Sequence, residues 1–281
     1  MKLKSHFVDL DDHRAHYTQT GTGDKSVLLI HGDMRTSRSF DSLSRKLAPT
    51  HSVAAIDLFG HGDSDWPCSG YKFIERSQNI EQFVNKVFNG HIDTVIAHST
   101  GAIALALYAS RKPSAFKFIV LMEPMIVVDE KFQRMVSSRT TRPRTTWADK
   151  KELTQLLKVH DVTKKWTSEV IEDVVEHETY VNEHGRLDMK WATQTMSWKD
   201  RKDDYFDLLP TLETLEVPTL FVASEARQDI FKPIENLSQI KNNIHFCTVI
   251  NTGHNIYMER PDTVAMLTKT LQSGEPIPKQ V

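Results

Sequence analysis

A chain of 281 residues with 39% hydrophobic and 26% charged side chains has the balance of a folded globular protein, which excludes disorder, collagen and coiled coil. Its 35 Lys and Arg stand against 37 Asp and Glu, a formal charge of -2, so no global field draws it to nucleic acid or to anionic lipid. No apolar run reaches the roughly 18 residues of a membrane span or the length of a signal-peptide core, and two cysteines, Cys68 and Cys247, are too few for a disulfide framework. Free thiols, a cytoplasmic location and a small-molecule partner are the expectations.

Polar, alternating stretches at 5–10 and 14–19 predict an edge hairpin. A unit then recurs: a short β-rich run, a turn, and a helical pattern. The runs are 27–30, 53–56, 94–96 and 118–122, and helices are predicted at 38–48, 73–89 and 100–112. Continuous apolar strands alternating with helices indicate a parallel sheet covered on both faces, an α/β fold. The rhythm breaks at residues 124–212, which are polar and helix-like. They hold Trp147, Trp166, Trp191 and Trp198, and a basic cluster, Arg134, Arg139, Arg142 and Arg144, that reads as a solvated helix face. Strands resume at 218–223 and 245–250, with a closing helix at 262–272. Residues 1–123 and 213–281 are therefore expected to form one core, with 124–212 inserted as a helical cap. The tail 273–281 is expected to fray.

The sharpest chemical signal is Ala97-His98-Ser99-Thr100-Gly101, between an apolar strand and a helical run. A serine on so tight a turn takes a strained backbone, and the chain closes around it only with small residues two before and two after. Such a turn aims the positive helix end and its free N–H groups at any oxyanion formed there. A serine needs a base to act as nucleophile, and the base needs a carboxylate to orient it. His254, directly after the last strand, is the candidate base. Two carboxylates compete as the acid. Asp229 lies in the loop after strand 218–223, and Glu123 ends an otherwise apolar strand, where an unpaired carboxylate is costly. Asp229 is the first choice. In the turn after the 27–30 run, the backbone N–H of Asp33 pairs with that of Thr100 as the expected oxyanion hole. His31 and His61 read as loop-shaping hydrogen bonders, the 57–64 turn as structural, and no metal site is expected. Met34, His98, Met125, Trp147 and Trp191 are the candidate substrate contacts.

Taken together, the His31-Gly32 turn, the Asp57-x-x-Gly60-x-Gly62-x-Ser64 turn, the Ser99 elbow, Asp229 before Pro233 and Gly253-His254 resemble the α/β-hydrolase superfamily. The resemblance covers almost the whole chain outside 124–212. It implies an eight-stranded, mostly parallel sheet, a Ser-His-Asp/Glu triad, no cofactor, and a helical cap over the pocket. Ala97 replaces the usual first glycine, and the 224–229 loop is longer than the family's usual one. The longer loop keeps Glu123 in contention, because some relatives take the acid from the earlier strand. A serine in place of an aspartate nucleophile disfavours the dehalogenase and epoxide hydrolase branches. A carboxylic-ester hydrolase, with thioester and lactone variants, is the leading expectation. The alternatives are cofactor-free C–C cleavage or dioxygenation of an aromatic ketone, a haloperoxidase- or perhydrolase-like activity, and a non-catalytic ligand-binding module.

Overall fold

The computed structural model describes residues 2–140, 143–197 and 204–281; Arg142 and Trp198 lie outside the described residues, as does the side chain of Arg139. One sheet of eight strands organises the chain: β1 (Lys4–Leu10), β2 (His13–Thr20), β3 (Lys25–Ile30), β4 (His51–Ile56), β5 (Ile92–His98), β6 (Phe116–Met122), β7 (Thr219–Ser224) and β8 (Ile244–Val249). Their spatial order is β1-β2-β4-β3-β5-β6-β7-β8. The hairpin β1–β2 is antiparallel and joins β4 antiparallel, and every pairing beyond that is parallel.

Alternation along the strands builds two core layers, because successive side chains leave a strand on opposite faces. Leu28 and Ile30 of β3 pack with Val95, Ala97, Ile119 and Leu121 beneath α2 (Phe73–Phe88) and α3 (Ser99–Arg111). Val27 and Leu29 join Ile96, Val120 and Met122 on the other face, covered by α1 (Asp41–Leu47) and α8 (Pro261–Ser273). Within α2, Phe73, Ile80, Phe83 and Val84 are buried at helical spacing, and the helix ends at Asn89 in the left-handed conformation, φ 53°.

Between β6 and β7 run α4 (Glu130–Thr140), α5 (Lys150–Val159), α6 (Ser168–His177) and α7 (Leu208–Glu213), with two short ribbons that the sequence reading did not anticipate. One pairs Val127–Val128 with Phe206–Asp207, the other Thr179–Val181 with Leu187–Met189. Arg144 is not a solvated helix residue: its Nε donates to Asp188 at 2.5 Å and its guanidinium lies 4.2 Å from the Trp191 ring centroid. The C-terminal tail is not frayed either. Thr248 N–H donates to the Lys279 carbonyl at 2.9 Å and Val281 N–H to the Thr248 carbonyl at 3.0 Å. As the edge strand, β8 leaves backbone groups for the tail to satisfy. Cys68 and Cys247 are free thiols, and among the described residues no helix is long and apolar enough to cross a membrane.

One buried carboxyl gives the fold a testable pH dependence. Asp41, at the start of α1, is fully buried, and burial pushes its pKa up to about 7 despite the Arg38 guanidinium 2.6 Å away. A carboxyl whose folded value exceeds the unfolded value of about 3.9 binds extra proton in the native state. Its contribution is therefore fully present below about pH 4 and is lost as pH rises through about 7. In urea titrations, the stability of Asp41→Asn relative to wild type should climb between pH 4 and pH 8, by about 4 kcal/mol at most. A difference independent of pH would show that Asp41 titrates as an ordinary carboxylate.

Candidate active site

Parallel register brings the carboxyl ends of the central strands to one edge: Ile30 stands beside Ala97, His98 beside Met122, and Met122 beside Val222. The residues just beyond those ends therefore meet there, which is where open α/β sheets place their ligands. They are the Gly32 turn, Ser99, Glu123, the loop after β7, and His254. Backbone strain concentrates at the same edge. Met34 (φ 65°), Ser99 (φ 53°), Glu123 (φ 51°) and Asn251 (φ 56°) are all left-handed, a conformation that costs about 1–3 kcal/mol for a residue with a side chain.

Ser99 sits where β5 turns into α3. The turn is possible because a Cβ on Gly101 would lie 2.2 Å from the His31 carbonyl oxygen, and a Cβ on Gly32 would lie 2.8 Å from the Ser99 Cβ. His254 Nε2 lies 3.2 Å from Ser99 Oγ, and its Nδ1 lies 3.1 Å from Glu123 Oε2. The loop that carries His254 is fixed twice: Gly253 N–H donates to Glu259 at 2.9 Å, and His98 Nε2–H donates to the His254 carbonyl at 2.8 Å. Burial, and then the neighbouring His254, hold the His98 pKa well below its usual value, so His98 is a neutral support.

The structure brings Glu123 to His254, not Asp229. Glu123 is fully buried; its Oε1 accepts the Ser224 N–H at 2.6 Å, and Arg227 Nη1 stands 3.0 Å from its Oε2. Burial pushes the carboxyl pKa upward, while Arg227 and the Ser224 N–H pull it down. Asp229 lies on the 3-10 turn Glu225–Phe231, where its side chain is exposed. That turn carries Arg227 inward instead: Nη1 lies 2.6 Å from His254 Nδ1.

Asp33 and Thr100 also meet, but in an arrangement the sequence did not suggest. The Asp33 N–H donates to the Thr100 hydroxyl at 2.9 Å, while the Asp33 carboxylate is held by the buried Arg76 at 2.6 Å. The Thr100 N–H belongs to the first turn of α3, where amides lack an intrahelical acceptor. His31 and His61 do shape loops. His31 donates from Nδ1 to the Gly32 carbonyl and accepts the Leu58 N–H at 3.0 Å, and burial lowers its pKa to about 4. His61 accepts the Met34 N–H at 3.3 Å. Asp57 accepts from His16 at 2.7 Å and from the Asp63 N–H at 2.9 Å, which ties the 57–64 turn to β2.

Ser99 and His254 open onto a cavity of about 610 Å³, whose wall includes Met34, His98, Met125 and Arg227. The 124–212 segment adds Phe132, Val136, Trp166 and Met196, among others, to that wall. A second cavity of about 440 Å³ shares Met34, Arg35, His160, Thr163 and Met196 with the first, and is walled by Trp147, Leu153 and Trp191. Met34, His98 and Met125 thus face the chamber that holds Ser99, and Trp147 and Trp191 face the apolar one.

Residues 27–267 match the family model described as "Alpha/beta hydrolase family". The chain belongs to the α/β hydrolase family. Among curated relatives, it is 28% identical over 125 residues to the cis-3-alkyl-4-alkyloxetan-2-one decarboxylase of Shewanella oneidensis, covering 43% of this chain and 39% of the relative. It is 27% identical over 116 residues to the 2-(acetamidomethylene)succinate hydrolase of Mesorhizobium japonicum, covering 41% of each. The matched region thus spans about two fifths of these relatives. Among solved structures, an E-2-(acetamidomethylene)succinate hydrolase superposes with a TM-score of 0.83 at 19% identity, over 97% of this chain and 100% of that one. A thioesterase domain from the curacin biosynthetic pathway gives 0.77 at 19% identity, over 96% and 100%. Family membership accounts for the fold; the relatives' names span several reactions.

Three arginines of this α/β hydrolase escaped the sequence reading: Arg35, paired with the buried Glu178 at 3.0 Å, Arg76 and Arg227. For Arg227 a signal existed, a cation in the loop expected to carry the acid, opposite a carboxylate on an apolar strand.

Proposed function

We propose that this α/β hydrolase cleaves a carboxylic ester, thioester or lactone through an acyl-enzyme on Ser99. The observation that carries the reading is the continuous relay from Ser99 Oγ through His254 to Glu123, at 3.2 Å and 3.1 Å. Ser99 Oγ attacks the carbonyl carbon while His254 Nε2 takes its proton, and Glu123 stabilises the imidazolium. The oxyanion is met by the Thr100 N–H and by the Asp33 N–H, once the Thr100 hydroxyl rotates away from the latter. His254 then returns the proton to the leaving oxygen or sulfur, and water, deprotonated by the same imidazole, releases the acid and frees Ser99. The 124–212 segment acts as a cap that selects the substrate, with the apolar chamber beside Trp147 and Trp191 holding its hydrocarbon part.

A fluorophosphonate should add once to wild type, at Ser99, and not to Ser99→Ala, as read by intact-protein mass. A folded wild type that resists labelling and leaves a panel of aryl and alkyl esters untouched would move the chemistry to another class. There, His254 deprotonates the substrate and Ser99 only positions it.

A further inference from the structure

The protons around His254 do not fit the contacts drawn around it. Its Nδ1 lies 3.1 Å from Glu123 Oε2, to which it must donate, and 2.6 Å from Arg227 Nη1, from which it must accept. A neutral imidazole nitrogen does one or the other, and a guanidinium only donates. While Nδ1 accepts from Arg227, the proton sits on Nε2 and the ring cannot take the proton of Ser99. While Nδ1–H points at Glu123, it faces an N–H of Arg227 head-on. The relay is therefore armed only when Arg227 leaves Nδ1, and it needs another acceptor to go to.

Among the described residues, Arg227 is also the arginine around this site with donors to spare. Arg35 is held by Glu178, Arg76 by Asp33, and Arg144 by Asp188. Beyond Glu123 and His254, Arg227 reaches only the Met125 sulfur at 3.9 Å and the face of Phe231, its ring centroid 5.6 Å away, among the described residues. Its side chain is 22% exposed on the chamber that holds Ser99, and the acid that lines that chamber among the described residues, Asp33, is already paired with Arg76. A planar fork with unspent donors at a largely buried position matches a carboxylate two bonds at a time.

We propose that Arg227 recognises a carboxylate carried by the substrate, and that this engagement draws the guanidinium off His254 Nδ1 and so arms the relay. The proton count is unchanged: the imidazole exchanges its Nε2–H tautomer for the Nδ1–H tautomer through solvent. The inference rests on the hydrolase reading above and gives it a substrate class, esters bearing an acid group a few atoms from the scissile carbonyl.

The test compares phenyl hexanoate with monophenyl adipate, which adds a carboxylate on the acyl side, and with 4-carboxyphenyl hexanoate, which adds one on the alcohol side. Wild type should prefer at least one of the two acids. Arg227→Met should lower kcat/KM for that ester about 100-fold and raise it several-fold for phenyl hexanoate, whereas Arg227→Lys should restore part of the preference. All three esters falling by one factor, or no preference in wild type, would overturn the proposal. Calorimetric titration of monophenyl adipate and 4-carboxyphenyl hexanoate into Ser99→Ala separates the two readings. Binding lost on adding Arg227→Met supports the acid site even if no ester is turned over. Binding that is absent, or indifferent to Arg227, counts against the acid site even if esters are hydrolysed.

Discussion

Glu123→Gln is expected to lower kcat by about 10⁴-fold with the fold intact, as loss of the orienting acid does when the wrong imidazole tautomer results. The size of the effect follows from the bonds at both carboxylate oxygens. The Ser224 N–H, at 2.6 Å from Oε1, needs an acceptor, so the single oxygen of a glutamine amide is claimed at that position. The amide NH₂ then faces His254 Nδ1, which must become an acceptor, and the proton moves to Nε2, where it blocks Ser99. Arg227 loses its carboxylate at the same time and is free to hold Nδ1 in that state. Asp229→Asn, on an exposed turn, should stay within about twofold, the scale of an ordinary surface substitution. Steady-state kinetics on a reactive aryl ester, with thermal unfolding as the folding control, decides the ranking. A large loss at Asp229 and a small one at Glu123 would return the acid role to the loop.

That contest shows where the sequence stopped being informative. The sheet was legible because β3, β5 and β6 hold the continuous apolar runs 27–30, 95–97 and 118–122, and a run buried on both faces leaves few other readings. The elbow was legible because only small residues at 97 and 101 permit it. The acid was not, because spacing places both carboxylates at the correct edge of the sheet, and the choice depends on which way a side chain leaves its backbone. Glu123 turns inward on a left-handed residue directly after β6, φ 51°, whereas the 3-10 turn after β7 sends Arg227 in and Asp229 out. The cost of burying an unpaired carboxylate had pointed at Glu123, and its partners, Arg227, His254 and the Ser224 N–H, arrive from distant parts of the chain. Arg144 was misread for a related reason. A cluster of arginines in sequence looks like one solvated face, but residue 144 lies beyond the end of α4, outside any helix, against Trp191 and Asp188. The docked tail escaped notice because its pairing is with the backbone of β8, and backbone hydrogen bonding leaves no pattern in side-chain type.

Gly101→Ala is the second substitution with a large expected effect, and it acts through geometry without removing any functional group. The residue lies in the first turn of α3, where alanine would normally be the better helix former by about 1 kcal/mol. Here a Cβ would stand 2.2 Å from the His31 carbonyl oxygen and 3.0 Å from Ile30 Cγ2, both on the end of β3 or the turn that follows it. The first contact is with backbone, so no rotamer change relieves it; either α3 or the 31–33 turn must move by about an ångström. Overpacking against a rigid neighbour costs about 1–3 kcal/mol, occasionally more, and the upper end applies because Ile30 and His31 beneath it are fully buried. The same shift separates two halves of the site, since Ser99 and Thr100 ride on α3 while Asp33 rides on the turn, and the Asp33 N–H now reaches Thr100 Oγ1 at 2.9 Å. A misplacement of about 1 Å is worth about 10² in rate. The variant should therefore lose about 3 kcal/mol in urea unfolding, and its folded fraction should react with a fluorophosphonate about 100-fold more slowly than wild type. A wild-type unfolding midpoint together with wild-type labelling would mean that the turn relaxes freely. The close approach of β3 and α3 would then not be what fixes Ser99 against its neighbours.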